Sequence, residues 1–232
     1  MIRLHVQAAL AAGHTIEATA GHAHYLASVM RRSAGDPVRL FNGRDGEWDA
    51  RITTLGRGKA SFAVDILVRR QADDTDVWLM FAVLKRDATD MVVRQATELG
   101  VAALLPVVTE RTNAARVNQE RLQAIAIEAA EQSDRLAVPA LNPARPLAVA
   151  LAQWPADRPL FVALERSGAA ALTAAKGPAG LLIGPEGGFG PRDRALLEHC
   201  EFVHPVSLGP LILRAETAAV AGLALLQAAG CG

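Results

Sequence analysis

The chain is poor in the residues that mark several common functions. Among its 232 residues only Cys200 and Cys231 are cysteines, with no CxxC pair and no histidine spacing suited to zinc. That excludes a disulfide-stapled scaffold and a zinc module, and reads as two unpaired thiols in a reducing compartment. No apolar run reaches the ~18 residues needed to span a bilayer. The opening "MIRLHVQAALAAGHT" lacks the basic-then-apolar order and cleavage site of a secretory signal. A soluble, cytoplasmic protein is expected. The six histidines give no metal signature, and no metal is expected. His22 and His24 are two apart, diverge on a helix, and are expected to cap it or lie at the surface. Excess charge is lacking too: 24 Lys and Arg balance 24 Asp and Glu. Taken over the whole chain, that disfavours a nucleic-acid binder.

The distribution of charge says something different. Residues 1–72 carry 10 basic against 6 acidic side chains, whereas residues 73–232 carry 14 against 18. Such asymmetry suggests a basic module joined to a mildly acidic one. The first stretch is β-rich: "PVRLFNG" and "EWDARITTL" flank "NGRDG", whose Asn-Gly and Asp-Gly suit a hairpin turn. "GRGKA" turns the chain into "ASFAVDILV". One helix is expected over 21–33, with Arg31 and Arg32 near its C-terminus. "RRQADDTD" (69–76) reads as a linker, so the domains are expected at 1–72 and 73–232. Beyond it, apolar strands ("VWLMFAVL", "VAALLPVVT", "PLFVALE", "AGLLIG", "FVHPVSL") alternate with helical stretches, among them "NQERLQAIAIEAAEQSD" with Asn118 as N-cap. This alternation predicts an α/β domain with a parallel sheet.

In such a sheet ligands bind beyond the carboxyl ends of the strands. Two loops stand there: "IGPEGGFGPRD" (183–193) and "LGPLILRAET" (208–217). The first is unsuited to phosphate. It has no Lys and Ser/Thr after its last glycine, Pro185 removes a backbone donor, and Glu186 adds negative charge. A tight strand-to-helix turn would explain Pro191 as a first-turn proline, but not four glycines. In the second loop Leu211, Ile212 and Leu213 must cover something or be covered. A neutral, flat, aromatic ligand suits this lining.

The two loops together closely resemble the RsmE-type ribosomal RNA methyltransferases of the SPOUT superfamily. The likeness extends through "HYLASVMRRSAGDPVRLFNGRDGEWDARI", similar to that family's PUA-like RNA-binding module, and through "ATELGV", "PVVTERT" and "IEAAEQSDR". It implies a SPOUT domain with a deep trefoil knot formed by roughly residues 160–232, after a small N-terminal β-rich PUA-like domain. It further implies a homodimer that uses S-adenosyl-L-methionine to methylate N3 of a uridine in small-subunit (16S) ribosomal RNA, within an assembled or assembling particle. Departures from the family pattern are Asp134, where glycine is usual, Ala137, where a basic residue is common, and Gln95, where lysine is frequent.

Carried over by motif, Ile183, Gly184, Gly187 and Gly188 form one wall of the cofactor pocket. Leu208, Gly209, Leu211, Ile212 and Leu213 form the other, enclosing adenine. Leu164 and Glu165 face the ribose or methionine part. Thr217 is placed with the pocket at the head of the last helix, where it and Glu216 also stand to cap that helix or to cross the dimer interface. Arg214 is the candidate catalytic residue, stabilising charge on the uracil oxygens or holding a phosphate; the other reading is an ion pair with Glu216 or with a neighbouring subunit. Arg3, Arg31, Arg32, Arg39 and Arg44 in the small domain, with Arg135 beyond it, are the candidate RNA contacts. Two alternatives stay open at this point: a non-catalytic RNA-binding dimer, and a SPOUT methyltransferase acting on transfer RNA or a ribose 2′-OH.

Overall fold

Val38 and Leu40 face the same side of their strand because side chains alternate along extended chain, and Ala50 and Ile52 do so on the next. Val38 pairs with Ala50, and all four are buried. The computed structural model describes residues 1–56, 58–72, 75–113, 117–164, 168–175 and 177–228. It divides into two compact units, Met1–Asp73 with Ala130–Val138, and Asp74–Ala129 with Pro139–Gly232. The segment 130–138, read from sequence as part of the second domain, thus groups with the first.

The first unit contains β1 (Ile2–His5), β2 (Thr15–Glu17), α1 (Ala20–His24), β3 (Pro37–Phe41), β4 (Glu47–Gly56) and β5 (Lys59–Arg69). The sheet order is β1-β3-β4-β5-β2. Only β1 and β3 pair in parallel; the other pairs are antiparallel. One face buries Leu4, Leu26, Leu40, Ile52 and Phe62. In the β3–β4 turn Asn42 Oδ1 accepts from the Arg44 and Asp45 N–H groups. Gly46 is required there: a Cβ would lie 2.2 Å from the Arg69 carbonyl oxygen.

The expected helix over 21–33 is shorter. Thr19 caps α1 by accepting from the His22 N–H at 3.1 Å, and the helix continues as a π-helical turn over Tyr25–Val29. Arg31 then takes a left-handed backbone, φ 50°, which ends it. Arg31 and Arg32 therefore follow the helix instead of forming its last turn.

The second unit contains β6 (Val77–Ala82), α2 (Arg86–Glu98), β7 (Ala103–Val108), α3 (Gln119–Gln132), β8 (Ala140–Leu141), β9 (Arg145–Pro146), α4 (Leu147–Ala152), β10 (Leu160–Ala163), β11 (Ala179–Ile183), α5 (Pro191–Glu198), β12 (Val203–Val206) and α6 (Ala215–Gln227). The last three residues of α3 belong to the first unit. The strands form one sheet, β12-β10-β11-β6-β7-β8, with β9 also on β7, and every pair is parallel. Asn118 caps α3 as expected, its Oδ1 accepting from the Arg121 N–H at 3.0 Å. Pro191 opens α5, where its fixed φ suits the first turn.

Strand β11 is buried throughout, as a central parallel strand must be when both faces are covered. On one side α6 presses on it so closely that a Cβ on Gly222 would come within 2.6 Å of Leu181. Elsewhere on the strand, a Cβ on Gly180 would stand 2.4 Å from the Trp154 ring. The buried Arg158 guanidinium lies 4.0 Å over the Trp78 ring and donates to Asp76 Oδ2 at 2.7 Å.

Candidate cofactor site and nucleic-acid face

Strands β10, β11 and β12 are parallel neighbours, so the chain leaves all three at one edge of the sheet. That brings Leu164, the loop 184–190 and the loop 207–214 to the same edge. The Leu164 N–H donates to the Val206 carbonyl at 3.0 Å. Beyond β12, Ser207 donates its N–H to the Ala170 carbonyl at 2.8 Å and accepts the Leu172 N–H at 2.9 Å. The Ser207 hydroxyl then takes the Gly209 N–H at 3.2 Å, which fixes how the second loop departs. Glu165 lies outside the described residues.

The four glycines of the first loop serve different ends. A Cβ on Gly184 would meet the Phe189 ring at 2.9 Å, and one on Gly190 would fall 2.1 Å from Glu110 Oε2; both are needed for internal packing. Gly188 has φ +67°, and nothing lies within 4 Å of the place its Cβ would take. Its N–H closes a turn onto the Pro185 carbonyl at 2.8 Å. Gly187 has ordinary contacts with Arg111 and no positive φ, and it is exposed. Gly209 in the second loop repeats the Gly188 pattern, with φ +122° and open space beside it. The backbone is thus bare and accessible at Gly187, Gly188 and Gly209.

Leu211 and Ile212 stand 76% and 60% exposed, while Leu208 and Leu213 are half-buried. Two bulky apolar side chains in water beside bare backbone make a surface suited to an apolar ring system. Ile183 is a core residue, 3% exposed, so only its backbone can serve the site. Arg214 is exposed and is the N-cap of α6, with no side-chain capping bond. Its carbonyl accepts the Ala218 N–H at 2.8 Å. Among the described residues no ion pair joins it to Glu216. Glu216 and Thr217 fall inside the first turn of α6 and do not cap it.

Two residues outside the sequence-derived set hold the first loop. Arg111 Nη1 donates to the Gly187 carbonyl at 2.7 Å. Glu110 accepts the Arg192 N–H on Oε2 at 3.0 Å, while its own N–H donates to Asp193 Oδ2 at 3.0 Å. Asp193 Oδ2 also accepts the Gly190 N–H at 3.2 Å.

In the first unit the candidate arginines divide. Arg3 is 7% exposed at its side chain. It donates to Glu47 Oε1 at 2.5 Å and to the carbonyls of Ala130, Glu131 and Arg135 at 3.0, 3.0 and 2.6 Å. Its donors serve the interior, and they satisfy carbonyls at a helix end as a cation does well. Arg135 is also buried. Neither presents itself to a polyanion, which corrects the expectation that they contact RNA. Arg39 is partly exposed and bound to Asp49 at 3.0 Å, with Glu47 at 3.7 Å. The Asp49 hydrogen bond raises the Arg39 pKa, outweighing burial. Arg31, Arg32 and Arg44 are exposed. Arg32 has Asp36 at 4.0 Å, and Arg44 reaches the Gln7 carbonyl at 3.0 Å. His5 joins this basic region: burial first, then nearby His22 and Arg44, push its pKa down.

Asp134 has φ 59°, the left-handed backbone that favours glycine and that aspartate tolerates better than most residues. Its carbonyl takes an Arg69 hydrogen bond at 2.9 Å.

A family model described as an RNA methyltransferase domain matches residues 71–227, and one described as an RNA methyltransferase PUA domain matches residues 19–65. The chain belongs to this RNA methyltransferase family. The N-terminal unit is its PUA-like domain, and the parallel α/β unit is its methyltransferase domain. Ribosomal RNA small subunit methyltransferase E of Rickettsia conorii is 31% identical over 235 residues, spanning 98% of this chain and 96% of that protein. The Synechocystis sp. protein of that name is 33% identical over 225 residues, spanning 92% and 73%. The crystal structure of ribosomal RNA small subunit methyltransferase E from Neisseria gonorrhoeae, bound to S-adenosyl methionine, is 27% identical. It matches with a TM-score of 0.86 over 99% of this chain and 98% of that one.

Proposed function

We propose that this methyltransferase uses S-adenosylmethionine to methylate N3 of a uridine in small-subunit ribosomal RNA. It acts as a cytoplasmic homodimer on an assembled or assembling particle. The observation that carries the reading is the convergence of Leu164 and the loops 184–190 and 207–214 at one sheet edge, with open space beside the backbone of Gly188 and Gly209 and exposed Leu211 and Ile212. The residues there fit a nucleoside cofactor that carries no phosphate. Bare glycine backbone admits a ring system closely, and the apolar side chains offer it a face. When bound, that cofactor supplies an electrophilic methyl group on a sulfonium.

The rest falls to this chain. The loops orient the cofactor, which converts an encounter into a nearly unimolecular transfer. Arg214, exposed at the head of α6, stabilises the negative charge that gathers on the uracil oxygens as N3 loses its proton. A guanidinium stays protonated, so its role is electrostatic and not that of a base. Arg31, Arg32 and Arg44 of the PUA-like domain hold RNA phosphates. The domains divide the work at about residue 72, and the segment 160–232 forms the trefoil knot. Leu196 on α5 and Leu225 on α6, both large and exposed, support a subunit interface on those helices.

The test is mass mapping of ribosomal and transfer RNA from a strain deleted for the gene. Loss of one methyl group from a 16S uridine, restored by the wild-type gene and not by Arg214→Ala, is expected. Loss from transfer RNA instead overturns the substrate. No heat on titrating the purified protein with S-adenosylmethionine overturns the enzymatic reading in favour of a silent RNA binder.

A further inference from the structure

We infer that Glu110 and Arg111, on the loop after β7, are positioning residues that hold the glycine loop in its cofactor-binding shape; this rests on the assignment of 184–190 as a cofactor wall. The peptide unit between Gly187 and Gly188 is held on both sides. Its carbonyl accepts from Arg111 Nη1 at 2.7 Å, and its N–H donates to the Pro185 carbonyl at 2.8 Å. A bare glycine pair has many accessible backbone conformations, so the guanidinium selects one of them. Arg111 is exposed and close to Gly187 on its aliphatic stem, with Cδ 3.6 Å from the glycine's absent Cβ.

Glu110 anchors the other end of the loop. Gly190 is the N-cap of α5 and has no side chain to satisfy the free N–H groups of the first turn. The Glu110 carboxylate performs that task from a different segment. It accepts the Arg192 N–H at 3.0 Å and occupies the place of the missing side chain, 2.1 Å from where a Gly190 Cβ would be. Negative charge at a helix N-terminus is favourable. Asp193 completes the arrangement by accepting from both the Gly190 and Glu110 N–H groups. The loop is thereby clamped at Gly187 by a cation and at Gly190 by an anion, both supplied by consecutive residues of one turn. That turn is itself closed by the Thr109 N–H bonded to Thr112 Oγ1 at 2.9 Å.

The experiment is calorimetric titration of the full-length protein with S-adenosylmethionine, paired with steady-state methyl transfer to small-subunit RNA. Arg111→Ala is expected to raise the cofactor Kd and KM by roughly tenfold, the usual effect of losing a charge-assisted hydrogen bond. It should leave kcat at saturating cofactor nearly unchanged, because the interaction is made equally in the ground and transition states. Arg111→Lys, which keeps a donor, should recover part of the affinity. Glu110→Gln, which keeps an acceptor, should lose less than Glu110→Ala. Unchanged cofactor affinity in folded Arg111→Ala, with Gly188→Val binding none, overturns this inference alone. Unchanged affinity in both variants overturns the assignment of the loop as a cofactor wall.

Discussion

Arg3 Nε donates to Glu47 Oε1 at 2.5 Å although the two residues are 44 apart in sequence, and both side chains are nearly withdrawn from solvent. Glu47 also receives Arg69 Nε at 2.8 Å. One buried carboxylate therefore ties β1, β4 and β5 together, while Arg3 carries the tie on to the carbonyls of the 130–135 segment. Removing one member of such a set leaves uncompensated buried charge. Glu47→Ala is expected to destabilise the PUA-like domain by about 3–5 kcal/mol, read as a lower urea midpoint. Arg3→Ala should cost a similar amount and weaken RNA binding only through loss of fold.

The same carboxylate sets an acid limit. Burial pushes the Glu47 pKa up, but hydrogen bonds from Arg69 and Arg3 outweigh it and hold it below the ordinary value. A carboxylate with a depressed folded pKa stabilises the fold above its unfolded value, about 4.3, and loses that contribution as pH falls through the folded value. Asp45 acts in the same direction, held down by the Leu10 N–H and then by Asn42. Thermal melts should show the midpoint falling below about pH 4.3. Glu47→Gln should start lower at neutral pH and show a flatter acid limb.

At the cofactor edge, Gly188→Val meets no atom within 4 Å at its Cβ, yet must hold φ +67°. The cost comes from the backbone, on the order of 1–2 kcal/mol. Gly188→Asn, which enters that region more readily, should retain measurable S-adenosylmethionine binding where Gly188→Val loses it. Calorimetry on the pair separates backbone shape from side-chain bulk.

Arg214→Ala removes an exposed side chain whose position at the N-cap uses only its backbone. Stability should change by no more than about 0.5 kcal/mol, and cofactor affinity should persist. The turnover number for methyl transfer should fall by roughly 100-fold, the scale of losing one electrostatic donor at a developing oxyanion. Single-turnover kinetics with labelled cofactor would measure it.

For the PUA-like domain, Arg31→Ala, Arg32→Ala and Arg44→Ala should each weaken RNA binding. Every arginine that neutralises a phosphate should, on removal, reduce the salt slope by about 0.7. Filter binding across a range of potassium chloride concentrations reads both quantities.

What could be read from the chain alone was largely local. Asn118 before α3 and Pro191 opening α5 each act on backbone groups within four residues, so their meaning is written beside them. The parallel sheet followed from apolar strands alternating with helical stretches. The tie of Arg3 and Arg69 to Glu47, the inclusion of 130–138 in the first unit and the clamp of Glu110 on the head of α5 depend on contacts across 22 to 132 residues. No periodicity encodes them. Arg3 and Arg135 depart from the sequence expectation for that reason, since an arginine in sequence carries no mark of whether it is buried, as both are, or of whether its donors are used inside the fold, as those of Arg3 are. Arg31 ended its helix without glycine or proline as a signal. Asp134 likewise holds a left-handed backbone, φ 59°, with no glycine to mark it.

The placement of β11 between β6 and β10 bears on how the molecule is made. Strand β6 ends at Ala82 and β11 begins at Ala179, so the middle of the sheet is synthesised long after one of its flanks. Until Ala179–Ile183 is available, β10 has no link to the β6–β7 half of the sheet. Chain-order growth from a local nucleus is closed to this domain, and its rate must be governed by long loop closures. A nascent chain halted before residue 179 would expose unpaired apolar strands on both sides of a gap, and would depend on chaperones for its solubility.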